Sequence, residues 1–187
     1  MKPGFVLAVV AAAVVVGCSG AASAPRSPAA ARLTAAPAQV AAADPSAACP
    51  ITKPQPAFVP PPRFRVTPSP VTQAWYGSAE LWTALDKDGE TWHGLPRSSD
   101  GSFGQKTFWW SDSFSVGAEP EPAISVEGRR LDRVGPTFHA GNPGTNAMFD
   151  GMSSMLVGVD VPTPGCWELT GRYRGAQLSY VVWIADS

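Results

Sequence analysis

Hydrolytic chemistry needs a Ser or Cys nucleophile beside a general base, and the sequence offers two histidines as that base, His93 and His139. No Gly-x-Ser-x-Gly motif is present to mark a nucleophile. The spacing of the acidic residues does not single out a partner for either histidine. We therefore predict that the chain has no catalytic residues and is not an enzyme.

Copper binding is a second chemistry that the residue types allow. The two histidines, together with Met148, Met152 and Met155, supply the imidazole and thioether ligands that suit this metal. Their spacing shows no tight repeat, and methionine commonly fills gaps in hydrophobic cores. A copper-binding protein is therefore the third function that we consider. We assign no metal ligands and expect no cofactor.

Aromatic residues suggest a third chemistry, the stacking of exposed rings on sugars. The chain has seven tryptophans but few charged residues. Five aromatic residues near predicted turns or strand ends are the candidates for binding a glycan or cell-wall polymer: Trp75, Tyr76, Trp92, Trp109 and Trp110. Neighbouring strand residues point to opposite faces, so at most one of the last two faces the core directly. The other interpretation is that these rings fill a small core and its rims.

The N-terminus has the pattern of an export signal. Lys2 provides the positive charge, and the apolar run of about a dozen residues after it is shorter than the roughly 20 that span a membrane. The run ends in Val15-Val16-Gly17-Cys18, which resembles the lipobox of bacterial lipoproteins. We expect residues 1–17 to be a signal peptide and Cys18 to carry the lipid. The alternative is an ordinary secretory signal cleaved near residues 21–24, with loss of Cys18.

Lipidation of this kind predicts where the protein is located. More than one acyl chain holds a protein stably on a bilayer, so the protein would sit on the extracytoplasmic face of the cell membrane. In a cell with two membranes, the outer membrane could be its location. The formal net charge is −1 and no basic patch is present, so we expect no nucleic-acid partner.

Two cysteines remain once Cys18 is lipidated, Cys49 and Cys166. An exported chain lies in an oxidising compartment, so we predict a disulfide between them. The bond would attach the start of the folded domain to its penultimate strand. The alternative is a pair of buried free thiols. A redox or metal role is less favoured because neither cysteine belongs to a Cys-x-x-Cys pair.

Composition divides the chain into a tether and a folded domain. Residues 18–48 are almost all Ala, Ser and Pro, which cannot bury enough apolar surface to fold, so they are predicted to be disordered. Residues 49–187 form the predicted domain. Its first part, residues 50–72, is rich in proline and should run extended over the surface, anchored by Phe58, Phe64 and Val66.

The domain is predicted to be an immunoglobulin-like antiparallel β-sandwich. Apolar and polar residues alternate with a period of two, and no stretch has a helical stripe. The predicted strands cover residues 80–85, 90–93, 103–110, 123–131, 154–161, 166–173 and 177–184. Asp86-Lys87-Asp88-Gly89 should be a hairpin turn, Tyr76-Gly77 a turn, and residues 135–151 a long loop.

Several short motifs, taken together, resemble one family. They are Cys49-Pro50, Leu81-Trp82-Thr83-Ala84-Leu85, Trp109-Trp110, Glu127-Gly128-Arg129-Arg130-Leu131-Asp132, Gly165-Cys166-Trp167-Glu168-Leu169-Thr170-Gly171 and Leu178-Ser179-Tyr180-Val181-Val182. This set is similar to a group of uncharacterised bacterial secreted lipoproteins with a C-terminal Gly-Cys-Trp-Glu-x-Thr-Gly hairpin. The resemblance implies fold and location, and carries no assigned activity.

These observations together favour an exported lipoprotein anchored in the membrane. Its expected role is that of a non-enzymatic structural or interaction module of the cell envelope. The expected partners are the membrane, through the lipid, and a cell-wall glycan or an envelope protein.

Overall fold

Ten β-strands make up the described part of the protein in a computed structural model. The structure describes residues 44–64, 72–140, 144–149 and 152–186. The predicted signal peptide, Cys18 and the tether up to residue 43 lie outside these residues, as does Val66. In chain order the strands are β1 (Gln73–Gly77), β2 (Trp82–Asp86), β3 (Thr91–Trp92), β4 (Phe103–Trp110), β5 (Ser125–Arg130), β6 (Thr137–Ala140), β7 (Thr145–Phe149), β8 (Met152–Val161), β9 (Gly165–Tyr173) and β10 (Ala176–Ile184).

The strands form two five-stranded sheets that pack face to face. Sheet A has the order β1-β2-β4-β8-β7, and sheet B has the order β3-β10-β9-β5-β6. All strand pairs are antiparallel except β3 with β10, which run parallel. The predicted all-β sandwich is therefore confirmed, whereas the immunoglobulin-like arrangement of its strands stays a prediction. No helix among the described residues is long and apolar enough to cross a bilayer.

Strands with long alternating patterns are where the sequence predicted them. Strand β4 begins at Phe103 and ends at Trp110, as expected. The closing hairpin of β9 and β10 turns at Arg174-Gly175, where both residues have positive φ angles. In both strands the alternate apolar residues are buried between the sheets, because a pleated strand places every second side chain on the same face.

Three predicted features are wrong. The predicted loop over residues 135–151 contains two short edge strands, β6 and β7. The Gly and Pro residues that flank them are typical of loops, so the sequence pattern did not indicate strands there. Tyr76-Gly77 ends strand β1 instead of forming a separate turn. The turn at Asp86-Lys87-Asp88-Gly89 exists, but the chain does not return beside β2. It crosses to the other sheet, where β3 pairs with β10.

Two hydrophobic clusters stabilise the sandwich. The larger one lies between the sheets and includes Trp109, Trp167 and Tyr180. The second, which we call the outer cluster, lies on the opposite face of sheet A and consists of Trp75, Trp82, Trp110 and Met152. The proline-rich segment covers it, because Phe58 and Phe64 pack on Trp82 at ring-centroid distances of 5.6 and 5.1 Å. The predicted anchoring role of these two phenylalanines is confirmed.

The N-terminal segment is attached to sheet B before it reaches the outer cluster. Cys49 forms the predicted disulfide with Cys166 in the penultimate strand, β9. Thr52 then exchanges two hydrogen bonds with Val181 of β10, one from its amide at 3.0 Å and one to its hydroxyl at 2.8 Å. Before the disulfide, Pro45–Ala48 forms a 3-10 turn capped by Asp44, inside the stretch predicted to be disordered.

Candidate functional site

The four tryptophans predicted to bind a glycan are buried. Trp109 and Trp110 have no exposed surface, and Trp75 and Trp92 are also buried. Tyr76 is half-buried, and its hydroxyl donates a hydrogen bond to the carbonyl of Ser179 at 3.2 Å. The expectation of an exposed aromatic surface is therefore wrong at the four tryptophans. Their rings supply core volume, since a sandwich of this size has two clusters to fill.

Adjacent positions in β4 explain why both Trp109 and Trp110 are buried. As expected from strand geometry, only Trp109 points between the sheets, where its indole donates to the Thr107 hydroxyl at 3.0 Å. Trp110 points to the other face and packs edge-on against Trp75 at 4.9 Å in the outer cluster. The sequence pattern did not reveal that this second face is covered, because the covering residues lie some fifty positions earlier.

The residues considered for copper are distributed over different surfaces. Met152 belongs to the outer cluster and Met155 to the cluster between the sheets, so sheet A separates their sulfur atoms. Met148 is largely exposed on β7, and the histidines are exposed at β6 and after β3. Within residues 44–64, 72–140, 144–149 and 152–186, no three His, Cys, Asp or Glu side chains come together as a metal site.

A cleft through sheet A is the best-formed candidate site. Strands β2 and β4 pair only at Trp82 with Trp110 and at Thr83 with Trp109, and beyond these residues the strands separate. The separation leaves a cavity of about 270 Å³, which we call the β2–β4 cleft. Its walls come from five strands and the turn after β2: Gln73, Thr83, Ala84, Leu85, Glu90, Trp92, Gln105, Lys106, Thr107, Phe108, Trp110 and Tyr180.

Side chains satisfy the backbone groups that the parted strands expose. The Thr83 hydroxyl donates to the carbonyl of Phe108 at 2.8 Å. The Glu90 carboxylate accepts the amide hydrogen of Asp86 at 2.7 Å. A buried backbone group without a partner would cost free energy, so these bonds allow the sheet to stay open.

Glu90 is the one acidic residue among those described that line the cleft. One carboxylate oxygen accepts from Asp86, and the other accepts from the indole of Trp92 at 2.8 Å. Burial raises the pKa of Glu90, and the nearby negative charge of Asp86 acts in the same direction, although the two hydrogen bonds oppose the change. Tyr180 lies close enough that the charge of Glu90, added to burial, raises the pKa of its phenol.

Two further polar side chains complete the cleft. The Gln73 side-chain oxygen is buried and has no hydrogen-bond partner among the described residues. Lys106 is the one cationic residue among those described that line the cleft, and it is exposed. Trp92, Phe108 and Trp110 supply aromatic walls. The cleft thus combines a half-buried carboxylate, an unsatisfied acceptor and aromatic walls, which suits the binding of a small polar ligand.

Sequence reasoning identified part of this site for a different reason. Trp92 and Trp110 line the cleft, but as buried walls and not as exposed platforms. Glu90 was predicted to lie in a hairpin strand, and its place in a cleft was not predicted. The available signal was its position just after the Asp-Gly turn, since a carboxylate there can reach back to the preceding strand. Comparison of the chain with protein-family models, with curated proteins and with solved structures finds no match.

The exposed face of sheet B carries a second, shallower group of charged residues. Arg172 pairs with Glu127 at 2.6 Å, and Arg129 pairs with Glu168 at 3.0 Å. His139 lies 3.8 Å from Glu127. The charges on this face pair with one another across the strands, which is typical of a solvated sheet surface.

Proposed function

We propose that the chain is an exported lipoprotein that is attached through Cys18 to the extracytoplasmic face of the cell membrane. It acts there as a non-enzymatic structural or interaction module of the cell envelope. The observation that carries the proposal is the disulfide between Cys49 and Cys166. Disulfides persist in oxidising compartments and are rare in the cytosol, so a fold closed by one is suited to work outside the cytoplasm.

The number of cysteines supports the lipid anchor. The chain has three cysteines, of which the disulfide uses two. Cys18 is left over, and a free thiol in an exported chain is open to oxidation and exchange. Lipidation at the end of the export signal removes this reactive thiol and holds the domain at the membrane surface.

The experiment compares the full chain with its Cys18→Ala variant in a bacterial host that processes lipoproteins. The wild-type chain should be in the membrane fraction, with the intact mass of residues 18–187 plus an acylated glyceryl group. Without reductant, the mass of the chain should be lower than the reduced mass by the hydrogen atoms that are lost when the disulfide forms. Cys18→Ala should leave the membrane fraction, whereas the control Ser19→Ala should stay there. A wild-type chain secreted in soluble form and beginning after Cys18 would overturn the anchor.

Glycan binding, the alternative function, requires a different surface from the one expected. The four tryptophans expected to stack on a sugar are buried, so a sugar unit would have to enter the β2–β4 cleft beside Trp92 and Trp110. A sugar of this kind is one of the ligands that the binding experiment below compares.

A further inference from the structure

We propose that the β2–β4 cleft binds a small organic molecule that carries a primary ammonium group. The ammonium would lie against Glu90, Gln73 and Tyr180, and the apolar body of the ligand against the aromatic walls. This inference rests on the cleft alone and is independent of whether Cys18 carries a lipid.

Charge balance is the first argument for a cationic ligand. Buried carboxylates in proteins are normally paired with a positive group, because removing a charge from water is costly. Glu90 is half-buried, yet it forms no ion pair among the described residues, and only neutral N–H donors contact its oxygens. Asp86, at the end of β2, adds a second negative charge nearby. A ligand ammonium would supply the missing positive charge.

The hydrogen-bond inventory of the cleft is the second argument. An ammonium group presents three donors and no acceptor. The side-chain oxygen of Gln73 is a buried acceptor that lacks a donor. The Glu90 carboxylate has lone pairs beyond the two that already accept, and the Tyr180 phenol lies close to it. Gln73 and Glu90 therefore both offer acceptor oxygens to a donor group of a ligand.

Shape and wall chemistry restrict the rest of the ligand. A volume of about 270 Å³ lies just below the range of roughly 300–1,000 Å³ that is typical of ligand pockets, so the ligand has to be small. Trp92, Phe108 and Trp110 form part of the wall. Aromatic faces attract cations and bury apolar groups, so a ring or short chain bearing the ammonium fits better than a larger neutral polymer.

A neutral sugar satisfies these features less well. Its hydroxyl groups could donate to Gln73 and Glu90, but they would leave the half-buried carboxylate without a counter-charge. The observations therefore favour the ammonium group over the hydroxyl groups as the feature that is recognised.

Calorimetric titration of the purified full chain with matched probes tests the inference. Cyclohexylamine should bind, and its neutral counterpart cyclohexanol, which has the same shape, should bind at least roughly tenfold more weakly, since charge-assisted hydrogen bonds are about twice as strong as neutral ones. Glucosamine should likewise bind more tightly than glucose. Equal binding of glucose and glucosamine would overturn the inference in favour of a glycan site. Absence of binding by both amines would overturn it outright.

Substitutions in the cleft locate the binding. Glu90→Gln keeps the size of the side chain and should weaken cyclohexylamine binding roughly tenfold or more, because a desolvated opposite charge is lost. The matched control Glu168→Gln changes a carboxylate on the far face of sheet B and should leave the affinity unchanged. Lys106→Gln removes the like charge that lines the cleft and should tighten binding roughly two- to fivefold at low salt.

The Lys106 variant keeps the test decisive should Glu90→Gln fail to fold. Unchanged affinity in both folded variants, or in Lys106→Gln alone if only that variant folds, would place the amine elsewhere and overturn the site.

Titrations at falling pH add an independent readout. Protonation of Glu90 removes its negative charge, so amine binding should weaken as the pH falls through the raised pKa of this carboxyl group. The other ionisable groups that face Glu90 are Asp86, Lys106 and Tyr180.

Discussion

Neighbouring residues of one charge can have opposite environments, as Arg129 and Arg130 of β5 show. Arg129 points to solvent and pairs with the Glu168 carboxylate on the open face of sheet B. The Arg130 side chain is only 5% exposed, and its guanidinium lies 6.0 Å from the centre of the Trp167 ring. It is held by both carboxylate oxygens of Asp132, at 2.7 and 3.0 Å. Burial makes the second pair the more important one for stability.

Asp132→Asn should therefore lower the free energy of unfolding by roughly 2 kcal/mol, because it leaves the buried charge of Arg130 without a counter-charge. The measurement is denaturation by guanidinium at pH 7. Glu168→Gln, the matched change at the exposed pair, should cost less than about 0.5 kcal/mol. Similar losses in the two variants would contradict the distinction between them.

The pH dependence of the Asp132 effect can also be predicted. Hydrogen bonds from Arg130 are the main cause of the lowered pKa of Asp132, and the charge of Arg130 adds to the effect. A carboxyl with a lowered folded pKa stabilises the protein above its unfolded pKa and loses this contribution as the pH falls. The difference between wild type and Asp132→Asn should therefore shrink in acid.

Glu90 should have the opposite pH dependence. Desolvation raises its folded pKa above the ordinary value of 4.5, so the folded protein holds this proton more tightly than the unfolded chain does. Its contribution to stability is fully present below the unfolded pKa and is lost as the pH rises through the folded pKa. Glu90→Gln should remove that loss, so its stability relative to wild type should increase from pH 4 to pH 8.

Denaturation curves of wild type and Glu90→Gln across this pH range measure the effect. Glu168→Gln serves as the control for the change in net charge. A stability difference between wild type and Glu90→Gln that stays constant with pH would contradict a perturbed carboxyl in the cleft.

At the scale of the elements, glycines set how closely the strands and side chains approach. Gly171 of β9 faces the interior directly beneath the ring of Trp109, and a Cβ atom built there would lie 2.6 Å from that ring. Gly128 of β5 provides similar space for Phe138 of β6, which in turn packs on Trp167. These contacts require the absence of a side chain, since two atoms cannot approach that closely.

Gly171→Ala should destabilise the protein by roughly 1–3 kcal/mol, because overpacking forces the Trp109 ring out of its position. Gly158→Ala is the control, since Gly158 lies on the exposed side of β8 and its added methyl group would meet nothing within 4 Å. The control should be neutral or slightly stabilising, because alanine restricts the unfolded chain. Thermal unfolding followed by tryptophan fluorescence compares the two variants. A neutral Gly171→Ala would show that the core can adjust without cost.

At the scale of the whole domain, the segment from Cys49 to Phe64 joins both sheets. It starts at the disulfide to β9, bonds to β10 through Thr52, and then packs on the far face of sheet A. The amide of Phe58 donates to the carbonyl of Trp75 at 2.8 Å. This segment turns the outer face of a sheet into a second core, so the sandwich has a partial third layer.

Loss of the disulfide should have a large effect because it joins residues 117 positions apart. In the chain-entropy model a cross-link over a loop of this length contributes roughly 4–5 kcal/mol. Cys49→Ser combined with Cys166→Ser should therefore lower the free energy of unfolding by a large part of that amount. The wild-type protein should show the same loss when it is unfolded in the presence of a reductant. Equal stability of the oxidised and reduced protein would contradict a stabilising role.

The sequence by itself determined the fold class, the closing hairpin and the disulfide. These features depend on local alternation and on a small number of cysteines, both of which can be observed without knowing the partners of each strand. The strand bounds of β4 and the inner face of β9 follow from the same alternation. Alternation with a period of two shows which residues share a face of the strand. Burial of one of the two faces is then enough to fix the register of the strand.

Only the tertiary structure decided which faces are covered and where a site lies. Trp110 is buried in the outer cluster, against which Phe58 and Phe64 pack, and the pairing of β3 with β10 takes Glu90 away from the expected hairpin. The cleft exists because β2 and β4 separate after two residue pairs. Burial and cavities arise from contacts between residues that are far apart in the chain. The local sequence pattern does not reveal those contacts.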